Sequence, residues 1–276
     1  MSQEIIKKNS KGAALITGAS SGIGAIYADR LARRGHDLIL VARDRRRLDA
    51  AAQRLSDDTG RCIRVIAGDL NEKPDLARIE DVLRSDASIT MLVNNAGVGA
   101  PTSLLDSDVN RLEQMIGLNV TALVRLTYAV APGFVRRGGG AIINIASIVG
   151  IAPELLNGVY GGTKAFVIAF SRSLHNEFAG KNVRVQAVLP GATATDFWDV
   201  AGTPLDHVPG DMVMKADAMV EAALAGFDQG ELFTVPSLPD IADWNAYETA
   251  RQNLIPKLSL RAPAARYGGS GSNQVA

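Results

Sequence analysis

Short runs of β-branched and apolar residues alternate with helical patterns along most of this 276-residue chain. Strands that alternate with helices form βαβ units, which pack into a parallel sheet. The sequence therefore predicts an α/β fold: a doubly wound parallel sheet of about seven strands with helices on both faces. The predicted strands are 13–17, 37–42, 61–67, 89–94, 141–146, 183–189 and 231–235, and the predicted helices are 23–34, 44–56, 74–84, 108–136 and 158–178.

The length and composition fit one domain over residues 1–262. Hydrophobic residues make up 47% of the chain, enough for one sizeable core, and no internal repeat is visible. A stretch at about 192–214 mixes Gly, Pro, Thr and apolar residues and is expected to form a variable substrate loop. The Gly- and Ser-rich end, 263–276, is predicted to be a disordered tail.

Charge and cysteine content argue against several classes of protein. The chain has 29 basic and 29 acidic residues, so no net field attracts nucleic acid or an anionic membrane. The one cysteine, Cys62, excludes an internal disulfide, and the three histidines lie too far apart for a zinc signature. We find no signal peptide and no run of about 20 apolar residues. A cytoplasmic protein without a metal site is therefore expected.

Three glycines, Gly18, Gly22 and Gly24, follow the first predicted strand and open the first helix. In that context glycine lets the backbone approach a pyrophosphate, and the helix N-terminus favours its negative charge. The alternative is a plain strand-to-helix turn. The flanking strand and helix favour dinucleotide binding.

The end of the second predicted strand bears on which dinucleotide binds. An acidic residue there would hydrogen-bond the ribose 2′-hydroxyl of NAD. Ala42 stands at that place, and Arg43 follows it with a guanidinium that can grip a 2′-phosphate. Asp44 is better explained as the N-cap of the next helix. The sequence thus predicts NADP(H).

Two further strand ends offer candidate cofactor contacts. Asp69 follows the third strand and can accept a hydrogen bond from an adenine amino group, although a turn or cap is the alternative. The segment 94–97, Asn-Asn-Ala-Gly, follows the fourth strand at the carboxyl edge, where ligands bind in such sheets. Its small residues would let a nucleoside lie against the backbone, although Asn and Gly also form ordinary turns.

Tyr160 and Lys164 lie four residues apart in a predicted helix, so both side chains share one face. An ammonium beside a phenol lowers the tyrosine pKa, and such a tyrosine can exchange a proton with an alcohol or carbonyl. Ser147 ends the fifth strand at the same edge of the sheet and can bind the same substrate oxygen. Asn119 is a poor helix-interior residue and is expected to bind backbone or a bridging water.

Together these residues resemble the short-chain dehydrogenase/reductase family, in its single-domain, Rossmann-fold branch. The resemblance covers roughly Gly12 to Val235. It rests on a set of motifs in one order: Thr17-Gly-x-x-x-Gly-x-Gly24, Asp69, Asn94-Asn-Ala-Gly97, Asn119, Ser147, Tyr160-x-x-x-Lys164 and Pro190-Gly191.

The resemblance implies a catalytic tetrad of Asn119, Ser147, Tyr160 and Lys164. Tyr160 would be the general acid in reduction and the general base in oxidation. Lys164 would hold the nicotinamide ribose hydroxyls and lower the Tyr160 pKa. Ser147 would orient the substrate oxygen, and Asn119 would hold a water that links Lys164 to bulk solvent.

The resemblance also implies a set of cofactor contacts and a homodimer or homotetramer built on the two long helices. The expected cofactor-binding residues are Gly18, Ser20, Ser21, Gly22, Ile23, Gly24, Arg43, Asp69, Leu70, Asn95, Ala96, Gly97, Tyr160, Lys164, Pro190, Gly191, Thr193 and Thr195.

We therefore expect an NADP(H)-dependent oxidoreductase that transfers a hydride between nicotinamide and a carbonyl or alcohol. An apolar ketone, aldehyde, steroid-like or 3-oxoacyl compound suits the expected lining, which is Val98, Pro101, Leu104, Leu105, Ile148, Ile151, Leu155, Leu156, Phe197, Trp198 and Val200. An epimerase or dehydratase with a retained cofactor, and a non-catalytic NADP(H)-binding regulator, are the alternatives.

Overall fold

The computed structural model describes residues 10–99, 102–195, 197–198 and 208–267. The described residues up to Ser237 form one compact unit, and those from Leu238 onward form a second. The single domain expected over 1–262 stays a prediction.

The first unit alternates strands and helices as expected. Its strands are β1 (Ala13–Thr17), β2 (Asp37–Ala42), β3 (Ile63–Ala67), β4 (Ile89–Asn94), β5 (Gly140–Ile145), β6 (Val183–Val188), β7 (Thr193–Ala194), β8 (Met214–Lys215) and β9 (Phe233–Thr234). Its helices are α1 (Gly22–Arg33), α2 (Arg45–Thr59), α3 (Lys73–Ser85), α4 (Val109–Ile116), α5 (Leu123–Arg136), α6 (Gly158–Glu177) and α7 (Ala216–Gln229).

Seven strands form one parallel sheet in the order β3-β2-β1-β4-β5-β6-β9, which confirms the predicted doubly wound fold. The chain order reverses between β1 and β4. Ligands bind at the carboxyl ends of the strands beside such a switch point. The predicted site residues end β1, β4 and β5, so they gather at this edge.

Alternate residues of each central strand enter opposite cores, because successive side chains in a strand point to opposite faces. Ala14 and Ile16 of β1 pack in one core, whereas Ala13 and Leu15 pack in the other. Both cores are buried under helices, which explains why these strands are apolar at every position.

Within the first unit, the structure corrects the sequence prediction in three places. The helix predicted over 108–136 contains a π-helical turn, Gly117–Ala122, between α4 and α5. α7 was missed, although its Met219, Val220 and Leu224 have helical spacing and Gly230 (φ 83°) ends it. The β7–β8 pair was also missed, because two-residue strands leave no pattern in sequence.

By length and composition alone, the segment Val109–Arg136 is long and apolar enough to cross a membrane, which was not expected from the sequence. Half of its most apolar part is buried inside the protein, and Leu126, Val130 and Phe134 pack in the second core.

The second unit contains α8 (Ile241–Leu254), which begins where the Asp240 side chain accepts a hydrogen bond from the Ala242 N–H. The Trp244 and Tyr247 rings lie 5.3 Å apart on this helix. Of the tail predicted to be disordered, residues 265–267 form a 3₁₀ turn, and residues 268–276 lie outside the described residues.

Candidate active site

The glycine turn between β1 and α1 is built from closely approaching backbone. Gly18 and Gly22 have φ of +66° and +53°, which favour glycine, and a Cβ on Gly24 would collide with the Gly18 carbonyl. Ser21 stands at the N-cap of α1, where no side chain among the described residues makes a cap hydrogen bond. The helix N-terminus is thus available to a negatively charged group.

Asn95 and Thr17 hold this turn in place. The Asn95 amide nitrogen donates to the carbonyl oxygens of Thr17 (2.9 Å) and Gly18 (3.2 Å). The Thr17 hydroxyl accepts hydrogen bonds from the Asn95 and Ala96 N–H groups, both at 3.0 Å. The predicted cofactor residue Asn95 therefore has its amide engaged in shaping the turn. Thr17 was not among the predicted site residues, although it opens the glycine motif.

Arg43 lies at the rim of an open depression of about 320 Å³ at the carboxyl ends of β2 and β3. Asp69 and Asp75 line the same depression, and the Arg43 guanidinium lies 3.9 Å from the Asp69 carboxylate. The Arg43 side chain is 73% exposed, so it can reach a ligand there. Asp44 caps α2 through the Arg47 N–H, as predicted.

Asp75 and Leu70 take roles that the sequence did not indicate. The Asp75 carboxylate accepts the Asp69 N–H (2.9 Å) and an Arg78 hydrogen bond (2.8 Å), and the Arg78 guanidinium lowers the Asp75 pKa. This pairing holds the backbone at Asp69. Leu70, a predicted cofactor contact, has its side chain buried in the second core.

Tyr160 and Lys164 share one face of α6, and both are buried. The Lys164 Nζ donates to the carbonyl oxygen of Ile145, the last residue of β5, at 2.9 Å. The same Nζ lies 5.7 Å from the centroid of the Tyr160 ring. The helix start and the strand end thus meet at one edge of the sheet, as the sequence predicted.

The pKa values of the two groups move in the direction that burial dictates. Burial raises the pKa of Tyr160 to about 12, and a hydrogen bond with Ser147 opposes that shift. Burial lowers the pKa of Lys164 to about 8. The expectation of a lowered tyrosine pKa is therefore wrong for the cofactor-free protein, because withdrawal from water disfavours both charged forms. The site keeps the phenol protonated.

Ser147 follows β5 and lies beside the phenol. Its hydroxyl donates to the Pro190 carbonyl oxygen at 3.2 Å and accepts the Val149 N–H at 3.4 Å. A serine hydroxyl has one proton. That proton can turn from the Pro190 carbonyl to an oxygen bound beside Tyr160.

Asn119 lies in the π-helical turn and is buried. Its Oδ1 accepts the Val98 N–H (3.0 Å), and its Nδ2 donates to the Val98 carbonyl (2.9 Å) and the Thr163 hydroxyl (3.1 Å). The backbone contact expected from the sequence is confirmed. The contact with Thr163 was missed, since it joins residues 44 positions apart.

The segment after β6 crosses the glycine turn. Thr193 Oγ1 donates to the Gly191 carbonyl at 3.1 Å, and a Cβ on Gly22 would lie 3.3 Å from the Thr195 Cβ. The Trp198 indole donates to the Thr193 carbonyl at 2.8 Å. Thr195 therefore lies close to the N-terminus of α1, where the sequence expected it to reach the cofactor.

Apolar side chains form a wall around the Tyr160 ring. The centroid of the Tyr160 ring lies 6.1 Å from the centroid of the Phe197 ring. Of the predicted lining, Val98, Ile148, Leu156 and Phe197 pack in this cluster. Leu112, Met115, Val149 and Val159 belong to it and were missed. Ile151, Leu104, Leu105 and Leu155 are exposed, whereas Pro101 and Val200 lie outside the described residues.

The arrangement combines a protonated phenol, a buried amine, a rotatable hydroxyl and an apolar wall at the sheet edge that also carries the glycine turn. Such a set can protonate the oxygen of an apolar carbonyl compound.

Comparison with known proteins agrees with this chemistry. Residues 12–204 match the model of the short chain dehydrogenase family. A short-chain dehydrogenase from Sphingobium yanoikuyae in complex with NADPH shares 49% identity (TM-score 0.89), covering 92% of this chain and 98% of its own. The bulky-bulky ketone specific alcohol dehydrogenase from Comamonas testosteroni shares 45% identity (TM-score 0.85), with coverage of 93% and 98%.

Curated relatives include the very-long-chain 3-oxoacyl-CoA reductases of Anas platyrhynchos (34% identity over 210 residues) and Bos taurus (38% over 186 residues). The matches cover 74% and 66% of this chain. The chain spans only 66% and 59% of the length of these two relatives.

Proposed function

The chain belongs to the short-chain dehydrogenase family, and from that premise we propose that it is an NADP(H)-dependent carbonyl reductase. The observation that carries the proposal is the buried group of Tyr160, Lys164 and Ser147 at the sheet edge that also holds the glycine turn. The similar dehydrogenase from Sphingobium yanoikuyae is in complex with NADPH, and the one from Comamonas testosteroni is a ketone-specific alcohol dehydrogenase, which supports the same reaction here.

The residues of the chain fit NADP(H). A Cβ at Gly18 or Gly24 would collide with the Asn95 side-chain amide, so glycine lets the backbone of this turn pack closely at the N-terminus of α1. The N–H groups of such a helix N-terminus can bind a pyrophosphate. Arg43 is exposed at the rim of the depression beside β2 and β3, where a 2′-phosphate would complement its charge. Asp69 borders the same depression and is proposed to contact the adenine.

Bound NADPH supplies the hydride. Tyr160, whose pKa is raised to about 12, holds a proton at neutral pH and delivers it to the carbonyl oxygen. Ser147 turns its hydroxyl toward the same oxygen and orients it. Lys164 would hold the ribose hydroxyls of the cofactor and return a proton to Tyr160, since its pKa of about 8 lets it exchange protons near neutral pH.

The substrate is proposed to be an apolar, bulky ketone. The wall of Val98, Ile148, Leu156 and Phe197 around Tyr160 offers apolar contact. A 3-oxoacyl thioester is the second candidate, and the identity with the vertebrate 3-oxoacyl-CoA reductases favours it.

The proposal is tested by the oxidation of NADPH and NADH with a panel of aliphatic aldehydes, aromatic ketones, steroids and 3-oxoacyl thioesters. Tyr160→Phe removes the proton donor and little volume, so we expect turnover to fall at least ~100-fold while NADPH binding is kept. Near-normal turnover in Tyr160→Phe would remove the tyrosine from the mechanism. Tight NADPH binding without turnover of any compound would favour an epimerase, a dehydratase or a regulator.

We further propose that the protein assembles as a homodimer or homotetramer in the cytoplasm. Tyr128 on α5 and Phe166 on α6 are large exposed apolar side chains on the two long helices. Light scattering of wild type and Tyr128→Glu tests the assembly; a monomeric wild type contradicts it. Fractionation of cells that express the chain tests the location.

A further inference from the structure

We propose that Thr163 is a positioning residue, whose hydroxyl fixes the orientation of the Asn119 side-chain amide beside Lys164. The inference rests on the proposed function, since it assigns a role within the same site. Thr163 lies between Tyr160 and Lys164 in the chain, and it is buried.

Two hydrogen bonds link Thr163 to its surroundings. Its Oγ1 donates to the Tyr160 carbonyl oxygen at 2.8 Å, one turn back along α6. The same oxygen accepts from the Asn119 Nδ2 at 3.1 Å. Thr163 therefore joins the helix that carries Tyr160 and Lys164 to the π-helical turn that carries Asn119.

The direction of these bonds determines which way the amide faces. A threonine hydroxyl has one proton, and here it is donated to the Tyr160 carbonyl. Thr163 can then only accept from Asn119, so the amide nitrogen must face it. A flipped amide would place two oxygens against each other with no proton between them. In the same orientation the Asn119 Oδ1 accepts the Val98 N–H and the Nδ2 donates to the Val98 carbonyl, so Thr163 and Val98 together hold the amide.

The fixed amide oxygen borders the same small space as the Lys164 amine. A Cβ built on Gly97 would lie 3.0 Å from the Asn119 Oδ1 and 3.7 Å from the Lys164 Nζ. Glycine at position 97 leaves that space open. An oxygen held there can accept a hydrogen bond on the side of Lys164, whereas an NH₂ group turned into the space would repel the ammonium.

Ser171 provides a matched control on the same helix. Its Oγ donates to the Val167 carbonyl at 2.8 Å and accepts from the Asn144 Nδ2 at 2.9 Å, so it repeats the bonding pattern of Thr163 two turns away. Ser171 is fully buried. From Asn144, the described hydrogen bonds continue through Asn94 to Thr127 and do not lead to Tyr160.

The experiment compares Thr163→Val, Thr163→Ser and Ser171→Ala in the full chain. Valine keeps the shape but loses the hydroxyl, so we expect kcat to fall about tenfold with the KM for NADPH changed less than about twofold. Thr163→Ser should retain kcat within about threefold. Ser171→Ala should lower the unfolding midpoint in urea about as much as Thr163→Val but leave kcat unchanged. Equal loss of kcat in the valine and alanine variants, or no rescue by serine, overturns the proposal.

A double-mutant cycle tests whether Thr163 acts through Asn119. In an Asn119→Ala background, Thr163→Val should change kcat less than about twofold, because the amide that it positions is gone. A further tenfold loss in that background would refute the assignment.

A readout without turnover separates this inference from the proposed function. If wild type reduces no compound of the panel with NADPH, the proposed function fails. The role of Thr163 is then tested by the hydrogen exchange of the Asn119 side-chain amide protons, measured by NMR. We expect both protons to be protected from exchange in wild type and one to lose protection in Thr163→Val. Equal protection in the two proteins overturns the positioning role.

Discussion

Replacement of Lys164 by methionine should stabilise the cofactor-free protein while it abolishes turnover. Burial lowers the pKa of this amine from 10.5 to about 8, which corresponds to about 3 kcal/mol of destabilisation at neutral pH. Methionine has similar length and no charge. The lost charge-assisted hydrogen bond leaves the buried Ile145 carbonyl without this donor and takes back about 2 kcal/mol, so we expect a net gain of about 1 kcal/mol.

The gain should depend on pH in a defined direction. Below about pH 8 both folded and unfolded wild type carry the Lys164 proton, and the full cost of the buried charge is present. Between about pH 8 and 10.5 the unfolded chain binds more protons than the folded chain, so the stability of wild type rises with pH. The advantage of Lys164→Met over wild type should therefore shrink across this window.

Urea unfolding of the cofactor-free proteins at about pH 7 and about pH 10 measures the gain in stability of Lys164→Met and its change with pH. Lys257→Met serves as the control, because Lys257 is exposed and its replacement should change stability by less than ~0.5 kcal/mol at either pH. A variant at position 164 that is less stable than wild type at neutral pH would refute the reasoning. A stability advantage of Lys164→Met that is the same at both pH values would also refute the reasoning.

Three further changes have defined outcomes. Arg43→Ala should raise the Kd for NADPH at least ~10-fold and leave that for NADH nearly unchanged, because a charge-assisted contact to the 2′-phosphate is lost; equal weakening in titrations with both cofactors contradicts that contact. Gly24→Ala should abolish NADPH binding in the same titration, since its Cβ would collide with the Gly18 carbonyl; normal affinity would show that the turn can relax. Tyr27→Phe should raise the free energy of unfolding by about 1 kcal/mol, since the Tyr27 hydroxyl is fully buried without a partner in the described chain, whereas Tyr247→Phe at an exposed ring should have no effect. A destabilised Tyr27→Phe would mean that this hydroxyl is hydrogen-bonded.

The glycine turn and the Tyr160–Lys164 pair could be placed from sequence because local rules govern them. Glycines after a strand predict a turn with positive φ, and Gly18 and Gly22 adopt it. Four-residue spacing in a helix predicts a shared face, and both buried side chains have it.

The apolar wall could be predicted only in part. Leu112 and Met115 pack beside Tyr160 because α4 contacts α6. No local pattern reveals which face of one helix will meet another. Leu104 and Leu105 were predicted to line the site but are exposed. Apolar loop residues that are close to site residues along the chain need not contact the site.

The sequence by itself determined the βα alternation, the parallel sheet and the identity of the residues at its carboxyl edge. It could do so because strand and helix periodicity are local, and because the carboxyl ends of parallel strands share an edge. Only the tertiary structure decided the direction of the Tyr160 and Lys164 pKa shifts, the π-helical turn and the Asn119–Thr163 bond. The pKa shifts depend on how completely distant elements exclude water from the two side chains, and the Asn119–Thr163 bond joins residues 44 positions apart. Neither has a signature in a short stretch of sequence.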